Sequence, residues 1–417
     1  MTEKTADYEI GKSFPIDLNP LYEKYQRVDE LTVSPDGEKV AALVKTDSGF
    51  SVMVNGESWP EDFELAWHLR YLPDGRLYLF ARINDLWTVV VDGQPWEETF
   101  EYIWNPQVSG DGKKLAVLFK KDDNYGVAVE GHPWENGFLS IRDYAISFDG
   151  LRTAATVQTE ALAEADIFGF AEGVWSLAVD GQVWDKKYIN VWKPIFSRDG
   201  QKVAAEVRPE MYGYTLAVNG QEWPDKYGCV WEPLFRPDND NLVAPVKHSG
   251  GWGIAENGQL LWKKNYNQLW KLQFSPDGKR LAATVSPQFG RWTIAVDDKP
   301  WWQTFEDMVL EPVFSPSGDR VAACVKDKGW WNIAVDGQSW PNHYDVIWSP
   351  VFSPDGKRIA AKAESGGKYL ILLDGRAGKN RFDKLWEPVF SPDGEKILVR
   401  GINDNKYVRE IVPVGDL

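Results

Sequence analysis

The chain is poor in the residues that usually carry chemistry. Among its 417 residues are 2 cysteines and 4 histidines. Cys229 and Cys324 lie far apart and form no C-x-x-C, so they read as small apolar core residues in a reducing compartment. His68, His132, His248 and His343 fall in different stretches without ligand spacing, and no metal centre is expected from them. There is no G-x-S-x-G elbow, no P-loop and no G-x-G-x-x-G before a helix. Positive charge is also short: 46 Lys and Arg face 62 Asp and Glu, a net charge of −16. That balance disfavours nucleic acid and anionic lipid, both of which are held by clustered cations, and it suits a basic partner. Nowhere do 18 apolar residues run together, so no helix is expected to insert into a membrane. The first twenty residues carry no apolar core behind a positive segment, so neither a signal peptide nor export is expected, and the location expected is cytoplasmic.

What is abundant is repetition. A turn phrase recurs ten times, ending at Gly37, Gly75, Gly112, Gly150 and Gly200, passing through Asp238, and ending again at Gly278, Gly318, Gly356 and Gly394. Most copies are about 38 residues apart, the length of a four-stranded propeller blade. In its fullest form the phrase is Ser-Pro-Asp-Gly, in which Pro presets φ and Gly accepts a positive φ, as a type I turn needs. An alternating strand follows (KVAALV, RLAATV, RVAACV), then a second one that usually ends in Asp-Gly or Asn-Gly. Those dipeptides predict a type I′ hairpin. Pro106, Pro194, Pro233, Pro312, Pro350 and Pro388 mark one strand per repeat. Proline removes a ladder donor, so this strand is expected at a sheet edge, the innermost of its blade.

The expected fold is therefore all-β: a β-propeller of about ten four-stranded blades over residues 28–417, in one ring, with two smaller propellers as the alternative. Residues 1–27 are expected to form an N-terminal extension whose strand, from Tyr8 to Gly11, fastens the ring. Asp and Glu are plentiful, but the regular ones belong to turns, so paired-carboxylate hydrolysis finds no support in the spacing.

The 22 tryptophans follow a schedule. One class comes three residues after the hairpin glycine: Trp59, Trp96, Trp134, Trp184, Trp223 and Trp340, with Trp301 and Trp262 close to the pattern. A second class opens the proline-bearing strand: Trp67, Trp104, Trp192, Trp231, Trp270, Trp348 and Trp386. A third aromatic class starts the third strand, as Phe50, Trp87 and Trp331 do. Large flat side chains at fixed positions fill the wedges between blades, and that is the reading adopted for them over a stacking platform for a ligand. Trp302 and Trp330 fall off the schedule beside Trp301 and Trp331, so each must point to the opposite face, which makes them candidates for a contact surface.

Both tight turns fall at one end of the blade, so the opposite end carries the connections between second and third strands, which vary in sequence. Recognition is expected at that end. The fourth repeat stretches there from Gln158 to Gly173, with an acidic, helix-competent start and an apolar end at Ile167, Phe168 and Phe170. The five candidate partner-binding residues are thus Ile167, Phe168, Phe170, Trp302 and Trp330. No catalytic, cofactor-binding or metal-binding residue is assigned.

The phrase S-P-D-G-K-R-x-A, at Ser275 to Ala282 and Ser353 to Ala360, resembles the repeat of TolB-like and WD40-like propellers. The G-x-x-W and W-x-P schedule in an acidic chain is also similar to the tryptophan-rich cytoplasmic subunits (the TmcD family) of the Tmc transmembrane redox complexes of sulfate-reducing bacteria. That resemblance implies an accessory subunit without its own cofactor, whose partners are iron–sulfur and cytochrome b subunits of a membrane complex. The expected function is a non-catalytic protein-binding scaffold. The alternative is a propeller that binds, or hydrolyses, a small molecule or glycan at its channel mouth.

Overall fold

The computed structural model describes residues 6–11, 15–164 and 166–417. Its strands form ten antiparallel sheets, and the only helices among the described residues are Asn19–Lys24 and Ile167–Glu172. The fold is an all-β propeller of ten four-stranded blades; in some, the first strand is broken into two short pieces around its proline. The chain divides into two units. The first holds Ala6 and residues 19–164 and 166–235, with the five blades that begin at Val28–Val33, Leu65–Tyr71, Tyr102–Val108, Ser140–Ile146 and Asn190–Phe196 and the first strand of the sixth, Cys229–Val230 and Leu234–Phe235. The second holds residues 7–11, 15–18 and 236–417, with the sixth blade from its second strand, Leu242–His248, and the blades after it up to Lys406–Pro413.

Each blade follows the order expected of it. In the second blade Leu65–Tyr71, Leu77–Ile83, Leu86–Val91 and Gln94–Pro95 pair in sequence. The turn phrase closes the first hairpin: the Gly278 amide donates to the Ser275 carbonyl at 2.8 Å. The Ser275 hydroxyl donates to Asp277 at 2.6 Å and accepts from the Arg280 amide at 2.9 Å, so serine and aspartate lock the turn together. The second hairpin is a type I′ turn with consecutive positive φ values, 49° at Asp336 and 85° at Gly337. First strands of successive blades pack on one another within each unit, as Ser140–Ile146 does on Asn190–Phe196. The prolines ride on a bulge there: the register slips between Trp104 and Gln107 around Pro106, and Asn105 takes φ 52°.

The core is a series of apolar layers between neighbouring blades, one of which gathers Leu72, Phe80, Phe100, Ile103, Leu115 and Val117 from the second and third. Second strands contribute small residues where two neighbours press on both sides, such as Ala154 and Ala155, and Ala282 and Ala283, all fully buried. Scheduled tryptophans serve the same layers. A Cβ added to Gly131 would fall 3.2 Å from Trp96, one on Gly337 3.2 Å from Trp301 and one on Gly375 3.1 Å from Trp340. Trp59, Trp96, Trp134, Trp184, Trp301 and Trp340 are each seated beside the hairpin glycine of the next blade in this way. First-strand tryptophans instead meet the aromatic that starts the third strand of their own blade, as Trp270 meets Trp292 at 4.6 Å and Trp104 meets Tyr125 at 6.1 Å.

A basic side chain fastens successive blades from the turn side. Arg152 bonds Asp180 in its own blade, donates to the Gly200 carbonyl of the next and lies over Phe196. Arg280 does the same with Asp297, Gly318 and Phe314, and Arg320 with Asp336, Gly356 and Phe352.

The fastening strand differs from expectation. Ile16–Asp17 pairs with Tyr407 and Lys406 and so adds a strand to the last blade. Tyr8 to Gly11 form no strand. The Tyr8 hydroxyl donates to the Phe390 carbonyl, its own carbonyl accepts from Lys396, and Gly11 turns the chain at φ 86°. Side chains occupy the backbone that a ladder would have needed.

Candidate functional site

The end of the blades opposite the Ser-Pro-Asp-Gly turns is tighter than its sequence variety suggests. In six blades the connection between second and third strands is itself a two-residue turn with consecutive positive φ, at Asn84–Asp85, Asp122–Asp123, Ser249–Gly250, Lys328–Gly329, Gly366–Gly367 and Asp404–Asn405. Carboxylates hold several of these turns. Glu101 accepts from the Asp122 amide at 3.0 Å, Asp307 from Gly329 at 2.7 Å and Asp345 from Gly366 at 2.7 Å. In these blades the connections vary in sequence, as expected, while their geometry stays short.

Of the other four connections, three project. In the fifth and seventh blades the second strand runs on for eight residues, Val203–Glu210 and Leu281–Gln288, through a register shift in each hairpin. Their tips present Met211, Tyr212 and Phe289, with Tyr212 91% and Phe289 96% exposed. In the fourth blade the insertion rises as a short helix. Its helical part is the apolar end, Ile167–Glu172, rather than the acidic start, because Asp166 caps it: the Gly169 amide donates to the Asp166 carboxylate at 2.8 Å. No residue of this helix is buried; Ile167 is 74% and Phe168 85% exposed, and Phe170 is exposed as well.

The five residues singled out from sequence are all exposed, in three places. Ile167, Phe168 and Phe170 share the fourth-blade helix. Trp330 is exposed at the turn that opens the third strand of the eighth blade, while Trp331 packs into the layer behind it. Trp302 lies on the outermost segment of the seventh blade, beside the seated Trp301. Sequence reasoning missed Tyr212, Met211 and Phe289, although both tips stood in loops that were already marked as variable. It also missed a fourth aromatic class, four residues after the first: Phe63, Phe100, Tyr188, Phe305 and Tyr344 bridge back to the start of the third strand. The signal was W-x-x-x-[FY].

The groups that could carry chemistry are engaged in the fold. Serines of the turn phrase are buried and bonded to aspartates; Asp111, Asp149, Asp199, Asp277, Asp355 and Asp393 lie below the usual carboxylate range because those hydroxyls and nearby amides donate to them. Burial pushes the Cys324 thiol up to about 12, and it donates to the Trp348 carbonyl at 3.3 Å. Burial lowers His68, which stacks on Phe80. One carboxylate stands apart. Glu206, the fourth residue of the fifth blade's second strand, accepts from the Glu232 amide at 2.6 Å, yet burial raises it to about 7. The matching position is Thr284 in the seventh blade and Cys324 in the eighth, each of which grips the next blade's first-strand carbonyl.

No family model matches the chain, and no curated protein sequence does. Among solved structures it is similar to that of a eukaryotic initiation factor, at 10% identity and a TM-score of 0.46 over 79% of this chain and 91% of that one. It is similar to the Dos1 propeller at 11% identity and a TM-score of 0.36, over 98% and 96% of the two chains. A third is the β-propeller domain of Cps50 (Swd1) from Myceliophteria thermophila, at 10% identity and a TM-score of 0.31 over 65% and 97%. Likenesses of this size carry no functional weight.

Proposed function

We propose that this chain is a non-catalytic protein-binding scaffold that engages its partner through the projecting tips of its fourth and fifth blades. One observation carries the reading: a capped helix with every apolar side chain exposed rises at the same end as the Met211–Tyr212 tip of the adjacent blade. Apolar groups presented on a fixed support mark contact surfaces. Burying Ile167, Phe168, Phe170, Met211 and Tyr212 would contribute about 1.5–3 kcal/mol for each fully covered large side chain.

The likeness in repeat style to the Tmc subunits supports a narrower form of this reading, an accessory subunit beside iron–sulfur and cytochrome b subunits of a membrane-bound electron-transfer complex. None of the helices of the described residues is long and apolar enough to cross a membrane, so attachment in that setting would run through partners. The test is capture from native membranes in mild detergent with the wild type, with Phe168→Ser plus Phe170→Ser, and with Tyr212→Ser. Loss of the co-purifying proteins at an unchanged melting temperature supports the surface. Full retention by both variants refutes it, and redox subunits among the retained proteins decide the narrower form.

A further inference from the structure

Resting on that docking surface, we infer that its occupant is a basic amphipathic helix of a partner protein, whose apolar stripe lies on Ile167 and Phe168, the two most exposed apolar side chains of the helix, between two cationic side chains about two turns apart.

The insertion is tied to its blade. The neck of the insertion is tied by the Thr159 amide and hydroxyl, both of which donate to the Val174 carbonyl. Gly173 ends the helix at φ 91°, pressed so closely on the Tyr188 backbone that a Cβ there would come within 2.3 Å of it. The helix is thus held to its blade at its C-terminal end while its apolar side chains stay in water. Six residues do not form a stable helix alone, so its exposed face is presented by the blade rather than by its own propensity.

Charge selects the occupant. From Gln158 to Gly173 there are four acids, Glu160, Glu164, Asp166 and Glu172, and no Lys or Arg. Glu160 pairs with Lys187 at 2.6 Å, and at the neighbouring tip Glu210 lies 3.5 Å from Lys226. That leaves exposed carboxylates at both ends of the helix: Glu164 and the cap Asp166 before it, Glu172 at its last turn. An anion at a helix C-terminus opposes the macrodipole, and a partner cation there relieves it. Six residues at 1.5 Å each place the two ends about 9 Å apart. Positions i and i+7 of a partner helix lie about 10 Å apart and leave i+3 and i+4 to meet Ile167 and Phe168. The same negative charge repels anionic lipid and nucleic acid, which sets the partner apart from both.

The experiment uses the full chain and two synthetic 18-residue helical peptides with one leucine stripe, flanked by lysines in one and by glutamates in the other. Binding is measured by fluorescence anisotropy at 50 and 300 mM salt, and anionic phosphatidylglycerol vesicles are tested by co-sedimentation. The expected result is binding of the lysine peptide alone, weakened tenfold or more by the higher salt. Glu164→Lys with Glu172→Lys should weaken it at least tenfold, Phe168→Ser with Phe170→Ser should abolish it, and neither should move the melting temperature. Equal binding of both peptides, still lost on Phe168→Ser with Phe170→Ser, overturns the basic partner and leaves the docking surface standing. Peptide binding untouched by the phenylalanine changes overturns the surface as well. No binding of the lysine peptide at 100 µM, or co-sedimentation with the vesicles, overturns the inference.

Discussion

Trp340 lies against Gly375 so closely that a Cβ on the glycine would stand 3.1 Å from the indole Cγ. The two residues belong to successive blades, and the tryptophan of one is seated on the hairpin of the next. Gly56 occupies the same turn position in the first blade, at φ 90°, with nothing within 4 Å of where a Cβ would be. Gly56→Ala should therefore cost only the strain of a left-handed alanine, about 1–2 kcal/mol. Gly375→Ala adds overpacking against Trp340, about 1–3 kcal/mol more. Denaturant midpoints of the two variants measure the seat directly, and equal midpoints would show that the tryptophan gives way without cost.

Arg280 should be irreplaceable by lysine. Its guanidinium reaches Asp297 at 3.2 Å and the carbonyls of Gly318 and Asp319 at 3.1 Å, a fork that an ammonium cannot match. Arg280→Lys is expected to cost about 1 kcal/mol, as for loss of a hydrogen bond or two. Arg280→Ala should cost more, because the stem packed over Phe314 is lost too. Thermal melts at low and high salt check the order.

Glu206 makes stability depend on pH. Burial raises its carboxyl from the ordinary 4.5 to about 7; the Glu232 amide and Lys193 pull the other way, and the Glu232 and Asp143 carboxylates add to the rise. A carboxyl whose folded value lies above its unfolded one contributes stability that is complete below about pH 4.5 and lost as the pH rises through 7. The loss is at most about 3 kcal/mol, at 1.36 kcal/mol per unit. Glu206→Gln, which can still accept from the Glu232 amide, should flatten this fall and exceed the wild type above pH 7. Denaturation curves at pH 5 and 8 give the sign; a wild type equally stable at both, after the change in other groups is subtracted through the variant, would refute it.

Adjacent tryptophans should behave oppositely. Trp301 fills the layer between the seventh and eighth blades and carries Gly337, whereas Trp302 is 78% exposed. Trp301→Ala is expected to destabilise by about 2–4 kcal/mol. Trp302→Ala should stay within about 0.5 kcal/mol. A large loss from the second change, read by urea titration, would place Trp302 in the core.

The blade count, strand order, both turn types and the edge-strand prolines were legible in the chain because each depends on residues close in sequence. Ser-Pro-Asp-Gly and Asp-Gly set their own φ values, and alternation sets which face is buried. The role of the scheduled tryptophans was legible as packing, but their seats were not: Trp340 and Gly375 belong to different repeats. The fastening strand was misplaced because Tyr8 to Gly11 alternate like a strand, and only the folded chain shows Lys396 and Phe390 occupying the Tyr8 polar groups. The exposure of Ile167, Phe168, Phe170, Trp302 and Trp330 was legible because they broke a pattern, which sequence records well. Tyr212 and Phe289 escaped because their exposure comes from a register shift that lengthens two hairpins, and register is decided by pairing partners. By itself the sequence determined a ten-bladed all-β repeat, since local turn chemistry and period suffice for that. Only the tertiary structure decided which turns project, which tryptophan is seated and which carboxyl is buried, because each depends on what a neighbouring strand or blade places against it.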